Sequence, residues 1–330
     1  MNQSHRISLS TSDQQSGITV DLLNRGAAIA GIRLHGVGHL PEVDTVLKYS
    51  SYADYDADPF YLGSTVGPVA NRLDGGRLDF PSGSLQLRIN EPDRQNLLHG
   101  GALGLHQHVF QPSPTRDSHQ LVLSLALPHL SDGFPGERLV TIRYELIDAR
   151  SLQCDFMASS DRTTFMNLAN HAYFNLGGPL AEHELRVFAE SYTPLNDRQI
   201  PTGVIASLSE TVDIAADLDF CDWRAIRDQK LDHNFVLFKD AKLREAASLR
   251  LMESNLQLDV LSTQPALQVY TGDGLKAPFT PRAGICLEAQ GFPDAPNHPE
   301  FPSILIEPNQ TYRQRTIYRF GEITDPVEGS

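Results

Sequence analysis

An all-β protein, built as a sandwich or a barrel, is the fold class that the sequence predicts. Three features point to it. Short runs in which apolar and polar residues alternate, several of them rich in β-branched side chains, recur along the chain. Turn residues separate these runs, drawn from 24 glycines and 21 prolines. Long stretches with the apolar spacing of a helix are absent.

In chain order, residues 17–23 and 28–34 read as a hairpin around Asn24-Arg25-Gly26. Strands over 85–89, 120–127 and 138–147 follow, the last two alternating clearly. Next come 152–158, a run over 165–178, then 184–189, 234–237, 248–252 and 256–261. Residues 267–271, 284–289 and 311–320 complete the set. Short helices are expected only near 51–57 and 209–216. No linker, charge block, low-complexity tract or repeat divides the chain, so residues 1–330 are expected to form one domain.

Composition narrows the function. Forty per cent hydrophobic residues provide ample core for a globular protein. Lysine plus arginine number 27 against 41 acids, a net charge of −14. That balance disfavours nucleic acid and anionic membranes, which attract a basic footprint, and is compatible with a neutral ligand. No apolar run is long enough to span a bilayer. The N-terminal stretch lacks the apolar core of a signal peptide, so a cytoplasmic location is expected. Cys154, Cys221 and Cys286 form neither a disulfide framework nor a CxxC pair and read as reduced, partly buried fillers.

Chemistry can be arranged around Phe165–Gly178, FMNLANHAYFNLGG. Read as one strand, it places Met166, Leu168, Ala172, Phe174 and Leu176 on a face that is apolar apart from Asn170. Asn167, Ala169, His171, Tyr173 and Asn175 share the opposite face. The segment AGICLEAQ divides likewise, with Ile285, Leu287 and Ala289 on one side and Gly284, Cys286, Glu288 and Gln290 on the other. In ALQVYT, Leu267 and Val269 point inward and Gln268 and Tyr270 outward. Three ordinary surface strands of a sandwich would show the same alternation.

Three polar clusters fall in turn-rich contexts. Asn71-Arg72 closes GSTVGPVANRL, and a guanidinium fork suits vicinal hydroxyls or carboxylates, although a surface ion pair is the usual role of an arginine. His99-Gly100-Gly101 could bring a ligand close to backbone, or be a simple turn. Asp232 in DHN could accept from hydroxyls or cap a turn. His99, His106 and His108 could supply imidazoles to a metal, but no acid or cysteine stands at a familiar ligand spacing, so no metal is expected. Glycine-rich phosphate cradles and a GxSxG elbow are missing.

In register along the chain, six blocks resemble the aldose 1-epimerase (galactose mutarotase) family. They are GSTVGPVANRL (63–73), NLLHGG (96–101), NLANHAYFNLGG (167–178), LDHNFVL (231–237), LQVYTG (267–272) and LEAQGFPDAPNHPEFPS (287–303). The resemblance implies a large antiparallel β-sandwich of the galactose mutarotase type, with few short helices, a sugar cleft and no cofactor. It implies interconversion of the α and β anomers of a free aldose such as galactose or glucose. By position, Glu288 is similar to the family's catalytic base and His171 to its catalytic acid. Asn71, Arg72, His99, Asp232 and Gln268 resemble the residues that hold substrate, with Tyr173 lining the cleft. Two positions depart from the family pattern. Gly67-Pro68 stands where Gly-Arg is common, which bears on the loop presenting Arg72. Gly104-Leu105 and Phe110 replace a Gly-Phe and a Trp, which bears on the packing behind His99.

The chemistry accounts for these residue types. Ring opening removes a proton from the C1 hydroxyl and delivers one to the ring oxygen, which a carboxylate and an imidazolium flanking the C1–O5 edge can do together. Three other readings weigh less. A hexose 6-phosphate epimerase would want a cluster of cations where the blocks offer only Arg72. A non-catalytic sugar-binding module would not need Glu288 and His171. A glycoside hydrolase usually needs a carboxylate pair, and only Glu288 has a placement. The expected partner is a monosaccharide, and the expected assembly a monomer or homodimer.

Overall fold

The computed structural model describes residues 5–11, 16–115, 117–209, 218–238 and 240–324. Its largest element is a nine-stranded antiparallel sheet. Its middle strands, Gln120–Leu127, Arg138–Asp148, Ser151–Ser160, Thr311–Glu322 and Leu256–Ser262, are long enough to alternate several times. In Arg138–Asp148 the inward residues Val140, Ile142 and Tyr144 are fully buried, while Leu139, just before them on the other face, is half exposed. One face of this sheet therefore has to be covered.

Two smaller sheets cover it. One is four-stranded, from Arg6–Ser10, Ile18–Leu23, Ala28–Val37 and Leu40–Asp44. The other is six-stranded and runs, in spatial order, Tyr173–Phe174, Ile285–Gln290, Ala266–Tyr270, Asp232–Val236, Ser191–Tyr192 and Ala206–Ser207. Val140, Ile142, Tyr144 and Phe156 of the large sheet share one apolar cluster with Val20, Ile29 and Ile32 of the first and with Phe235, Leu267, Val269, Ile285 and Leu287 of the second. The result is the antiparallel sandwich that the family resemblance implies. Helical structure among the described residues is confined to short 3₁₀ turns and one residue at the edge of 210–217. The turn over Tyr52–Ala57, where Ser51 Oγ accepts from the Ala53 N–H at 3.3 Å, is the helix expected near 51–57. The helix expected at 209–216 falls almost entirely outside the described residues.

Most expected strands are present within a few residues. The strand expected over 85–89 is instead Gly83–Gln86, hairpinned with Arg77–Phe80. The strands Arg6–Ser10 and Leu40–Asp44 were not expected: the first alternates, with Ile7 and Leu9 turned to the core, but over only five residues, and the second, LPEVD, does not alternate.

The run 165–178 is not one strand. It pairs in three short pieces with three different partners: Thr164–Phe165 with Leu305–Ile306, Ala169–Asn170 with Thr65–Val66, and Tyr173–Phe174 with 285–286. Asn170 makes the break, because its Oδ1 accepts the Ala172 N–H at 3.1 Å and its Nδ2 donates to the Gly63 carbonyl at 2.7 Å. The expected division into faces still holds for the apolar side, since Met166, Leu168, Ala172, Phe174 and Leu176 all enter the main core.

Phe174 ties this run to both sheets. It is fully buried, and its ring lies 5.0 Å from that of Tyr318 on the large sheet. Phe174→Ala is expected to lower unfolding free energy by about 3–5 kcal/mol, read as a shifted midpoint in guanidinium denaturation.

Candidate active site

The six-stranded sheet presents two chemically different faces. Antiparallel partners directly opposite each other point the same way, so register decides what meets what. Leu267 faces Ala289 and Phe235 toward the core. On the opposite face Asn234, Gln268 and Glu288 form one row, and Asp232, Tyr270, Cys286 and Tyr173 form the next. Gln268 lies on the polar face expected for it but is buried there, because loops roof this face and leave a cleft of about 830 Å³. Asn71, Arg72, His99, His171, Tyr173, Asp232 and Glu288 all line it. Gln268 stands behind them, donating from Nε2 to Asp232 Oδ1 at 2.7 Å.

His171 enters from the broken run. Its backbone is clamped to the Gly63–Ser64 segment by two hydrogen bonds, Gly63 N–H to His171 O at 3.0 Å and His171 N–H to Ser64 O at 2.9 Å. Gly63 must be glycine for this approach: φ is +65°, and a Cβ would sit 1.9 Å from the Ile29 carbonyl oxygen. His171 Nε2 then lies 3.7 Å from Glu288 Oε1, too far for a hydrogen bond and with both side chains buried. Nδ1 lies 3.5 Å from Cys286 Sγ.

Asn71 and His99 hold each other. The Asn71 N–H donates to His99 Nδ1 at 3.1 Å, the His99 N–H returns to Asn71 O at 3.0 Å, and both residues have positive φ. A neutral imidazole accepting at Nδ1 carries its proton on Nε2. The loop that presents them is docked on Asn167, through Asn167 N–H to Pro68 O and Ala70 N–H to Asn167 O, each 2.7 Å. The Asn167 side chain also bridges to Gly291, just beyond Glu288. Pro68 thus leaves Arg72 supported, and Phe110 is fully buried in the main core.

Arg72 sits between two carboxylates. Its Nε donates to Glu91 Oε2 at 3.1 Å and its Nη1 to Asp232 Oδ2 at 3.3 Å, while Arg94 also pairs with Glu91. Burial opposes its charge, but Asp232 and Glu91 outweigh that and raise its pKa. Burial likewise opposes ionisation of Glu91, and Arg72 and Arg94 overcome it.

Burial acts in opposite senses on the central pair. It lowers His171 to about 4 and raises Glu288 well above the usual carboxylate range, with Asp232 adding to the latter. His99 is lowered well below its ordinary value by burial and by the neighbouring His171 and Arg72. Burial thus works against the charged form of both partners, the imidazolium of His171 and the carboxylate of Glu288.

His99, His171 and Glu288 bring one potential ligand atom each within 4.8 Å of one another. The trio fits a cation poorly, because the Asn71 N–H occupies His99 Nδ1 and puts a proton on Nε2. His106 and His108, the other two imidazoles considered for a metal, do not join the trio. Leu105–Gln107 is a 3₁₀ turn, His106 packs on Tyr61 with ring centroids 4.7 Å apart, and His108 Nε2 meets Leu103 O.

Three residues at the site were not foreseen in these positions. Glu91 lies in a polar turn just before NLLHGG, where only the need to neutralise Arg72 could have marked it. Tyr61 has a positive φ, and its ring contacts those of His99 and His171, at 4.6 and 5.8 Å. Cys286, expected to be a filler, touches His171 instead.

Comparison with known proteins identifies the family. A family model described as aldose 1-epimerase matches residues 8–319. A galactose mutarotase of Rattus norvegicus is 33% identical over 92% of this chain and 91% of that protein. An aldose 1-epimerase of Escherichia coli K12 is 30% identical over 94% of each. The crystal structure of a galactose 1-epimerase from Lactobacillus acidophilus superposes with a TM-score of 0.81 at 27% identity, covering 98% of this chain and 99% of that one. With the fold, the cleft and these relatives in agreement, the chain belongs to the aldose 1-epimerase family.

Proposed function

We propose that the protein is a mutarotase, interconverting the α and β anomers of free aldoses such as galactose and glucose in the cleft around Glu288 and His171. The observation that carries this reading is the 3.7 Å approach of His171 Nε2 to Glu288 Oε1 in a buried cleft. Two proton-transfer groups at that spacing can address the hydroxyl and the ring oxygen of one hemiacetal carbon.

Glu288 takes the C1 hydroxyl proton while His171 Nε2 delivers a proton to the ring oxygen. The C1–O5 bond breaks with its electron pair on O5, and C1 becomes an aldehyde carbon. Rotation about C1–C2 offers the other carbonyl face, and return of both protons closes the ring. The pair holds a constant number of protons throughout. The closed-ring state needs imidazolium and carboxylate, and the open-chain state has neutral imidazole and carboxylic acid. Burial favours the second distribution. The charge of Asp232 supports the imidazolium while opposing the carboxylate, which Arg72 in turn supports. An imidazolium this acidic is suited to a weakly basic ether oxygen. Asn71, Arg72, His99, Asp232 and Gln268 hold the hydroxyls, and Tyr173 closes one wall.

Charge favours a neutral sugar over a hexose phosphate. Of the three lysines and arginines on the cleft wall, Arg72 and Arg94 are already paired with Glu91 or Asp232, which leaves Lys230 where a phosphate would want a cluster. Asp197 and Asp273 add further negative charge to the lining. The same reading takes no cofactor and one folded unit over 1–330, a monomer or homodimer, supported by a family match that runs from 8 to 319. Three free cysteines are in keeping with work in the cytosol, and among the described residues no helix is long and apolar enough to cross a membrane.

Glu288→Gln and His171→Asn are each expected to lower kcat at least 10²-fold while circular dichroism stays unchanged. Polarimetry on freshly dissolved α-galactose and α-glucose measures this, and near-wild-type rates in either variant would refute the assignment. Glu91→Gln should raise KM roughly tenfold by loosening Arg72, with a smaller effect on kcat. In kcat/KM against pH, the acid limb should fall near pH 4, where His171 takes a second proton onto the pair and no base is left. The alkaline limb should follow loss of the proton from Glu288, above the usual carboxylate range. An acid limb centred near 6.5, the ordinary imidazole value, would contradict this picture.

A further inference from the structure

Cys286 occupies a position that the mechanism above leaves unused. It is fully buried, stands opposite Tyr173 in the site row, and places Sγ 3.5 Å from His171 Nδ1. The Tyr173 hydroxyl is a second neighbour of the thiol and donates its own proton to the Phe60 carbonyl at 3.1 Å. A thiol sulfur keeps lone pairs whichever way its S–H points, so it can accept from the imidazole. We propose that Cys286 is a positioning residue for ring opening: its sulfur accepts the Nδ1–H of His171, so that Nε2, the nitrogen facing Glu288, is the one that gains and loses the catalytic proton.

This inference rests on the reading of His171 as the acid. In that cycle His171 alternates between imidazolium and neutral imidazole, and Nδ1 keeps its proton in both. Without a partner at Nδ1, the neutral ring would relax into a mixture of tautomers, and the Nε2–H form could not take a proton back from the sugar. Sulfur is also a weak acceptor. A carboxylate in its place would stabilise the cation and make it a poorer acid, as the carboxylate partner of a catalytic triad does when it supports its imidazolium. The other groups around the ring are His99 at 5.1 Å and Tyr173 at 5.1 Å between centroids, Tyr61 at 5.8 Å, and Glu288 on the Nε2 side, with Asp232 acting through space. Among the described residues none of these side chains hydrogen-bonds Nδ1, and Cys286 does; the ring's other partner is its own backbone, which favours the imidazolium.

Nitrogen-15 NMR of His171 in the wild-type protein, alongside polarimetry of Cys286→Ala and Cys286→Ser, tests the proposal. The expected wild-type signal is the Nδ1–H tautomer. Cys286→Ala should give a tautomer mixture and lower kcat roughly 5- to 20-fold with little change in KM. Cys286→Ser, which keeps an acceptor, should restore kcat to within about threefold of wild type. A wild-type Nε2–H tautomer, or a Cys286→Ala variant with unchanged kcat and an unchanged spectrum, would overturn it. If Cys286→Ala does not fold, the wild-type tautomer and the serine variant decide alone. Failure of the wild-type protein to interconvert anomers of any aldose would instead sink the mutarotase reading, and the tautomer can be read without turnover.

Discussion

Register in the six-stranded sheet is the constraint on which the site depends. Glu288 lies opposite Gln268, and Gln268 opposite Asn234, while the residues between them feed the core. A slip of one residue in Ile285–Gln290 would drive Glu288 into the apolar cluster and expose Leu287 to the cleft. The apolar alternation that holds the sandwich together is therefore the same pattern that aims the carboxyl. Stability and catalysis do not compete for side chains here, because they use opposite faces of the same strands.

A second level of order comes from backbone groups that find unusual partners. Asn167 satisfies the loop at 68–70 with its main chain and Gly291 with its side chain, so the segments bearing Arg72, His171 and Glu288 meet on one residue. Asn170 ends the local strand and turns His171 inward. Buried amides with complete hydrogen bonding position their neighbours tightly, since any shift leaves a polar group unpaired. Burial also gives the cleft its chemistry, by placing the proton of the His171–Glu288 pair where water would not.

Much of this was legible in the sequence, for reasons that differ by element. Strands such as 120–127 and 138–147 announce themselves by alternation because one side of the large sheet is wet. Glu288 and Gln268 were assigned to the correct faces by the same period. What alternation could not reveal was the covering of their polar face, which comes from loops with no periodicity. The run 165–178 looked continuous because its apolar residues do reach one core, yet Asn170 redirects its hydrogen bonds. Glu91 was invisible because its importance comes from a charge at Arg72, 19 residues away along the chain. Local pattern reports faces well and reports long-range charge pairing poorly.

Arg72 ends this account with a wider implication. Glu91 and Asp232 already hold its charge between them, so the guanidinium offers directed N–H groups without an unpaired positive charge. An uncharged sugar is then drawn in by contact alone, and encounter proceeds without electrostatic steering. Ionic strength has little to screen between such a ligand and such a wall. A cell could change its salt content considerably, and anomers would still be exchanged at much the same pace.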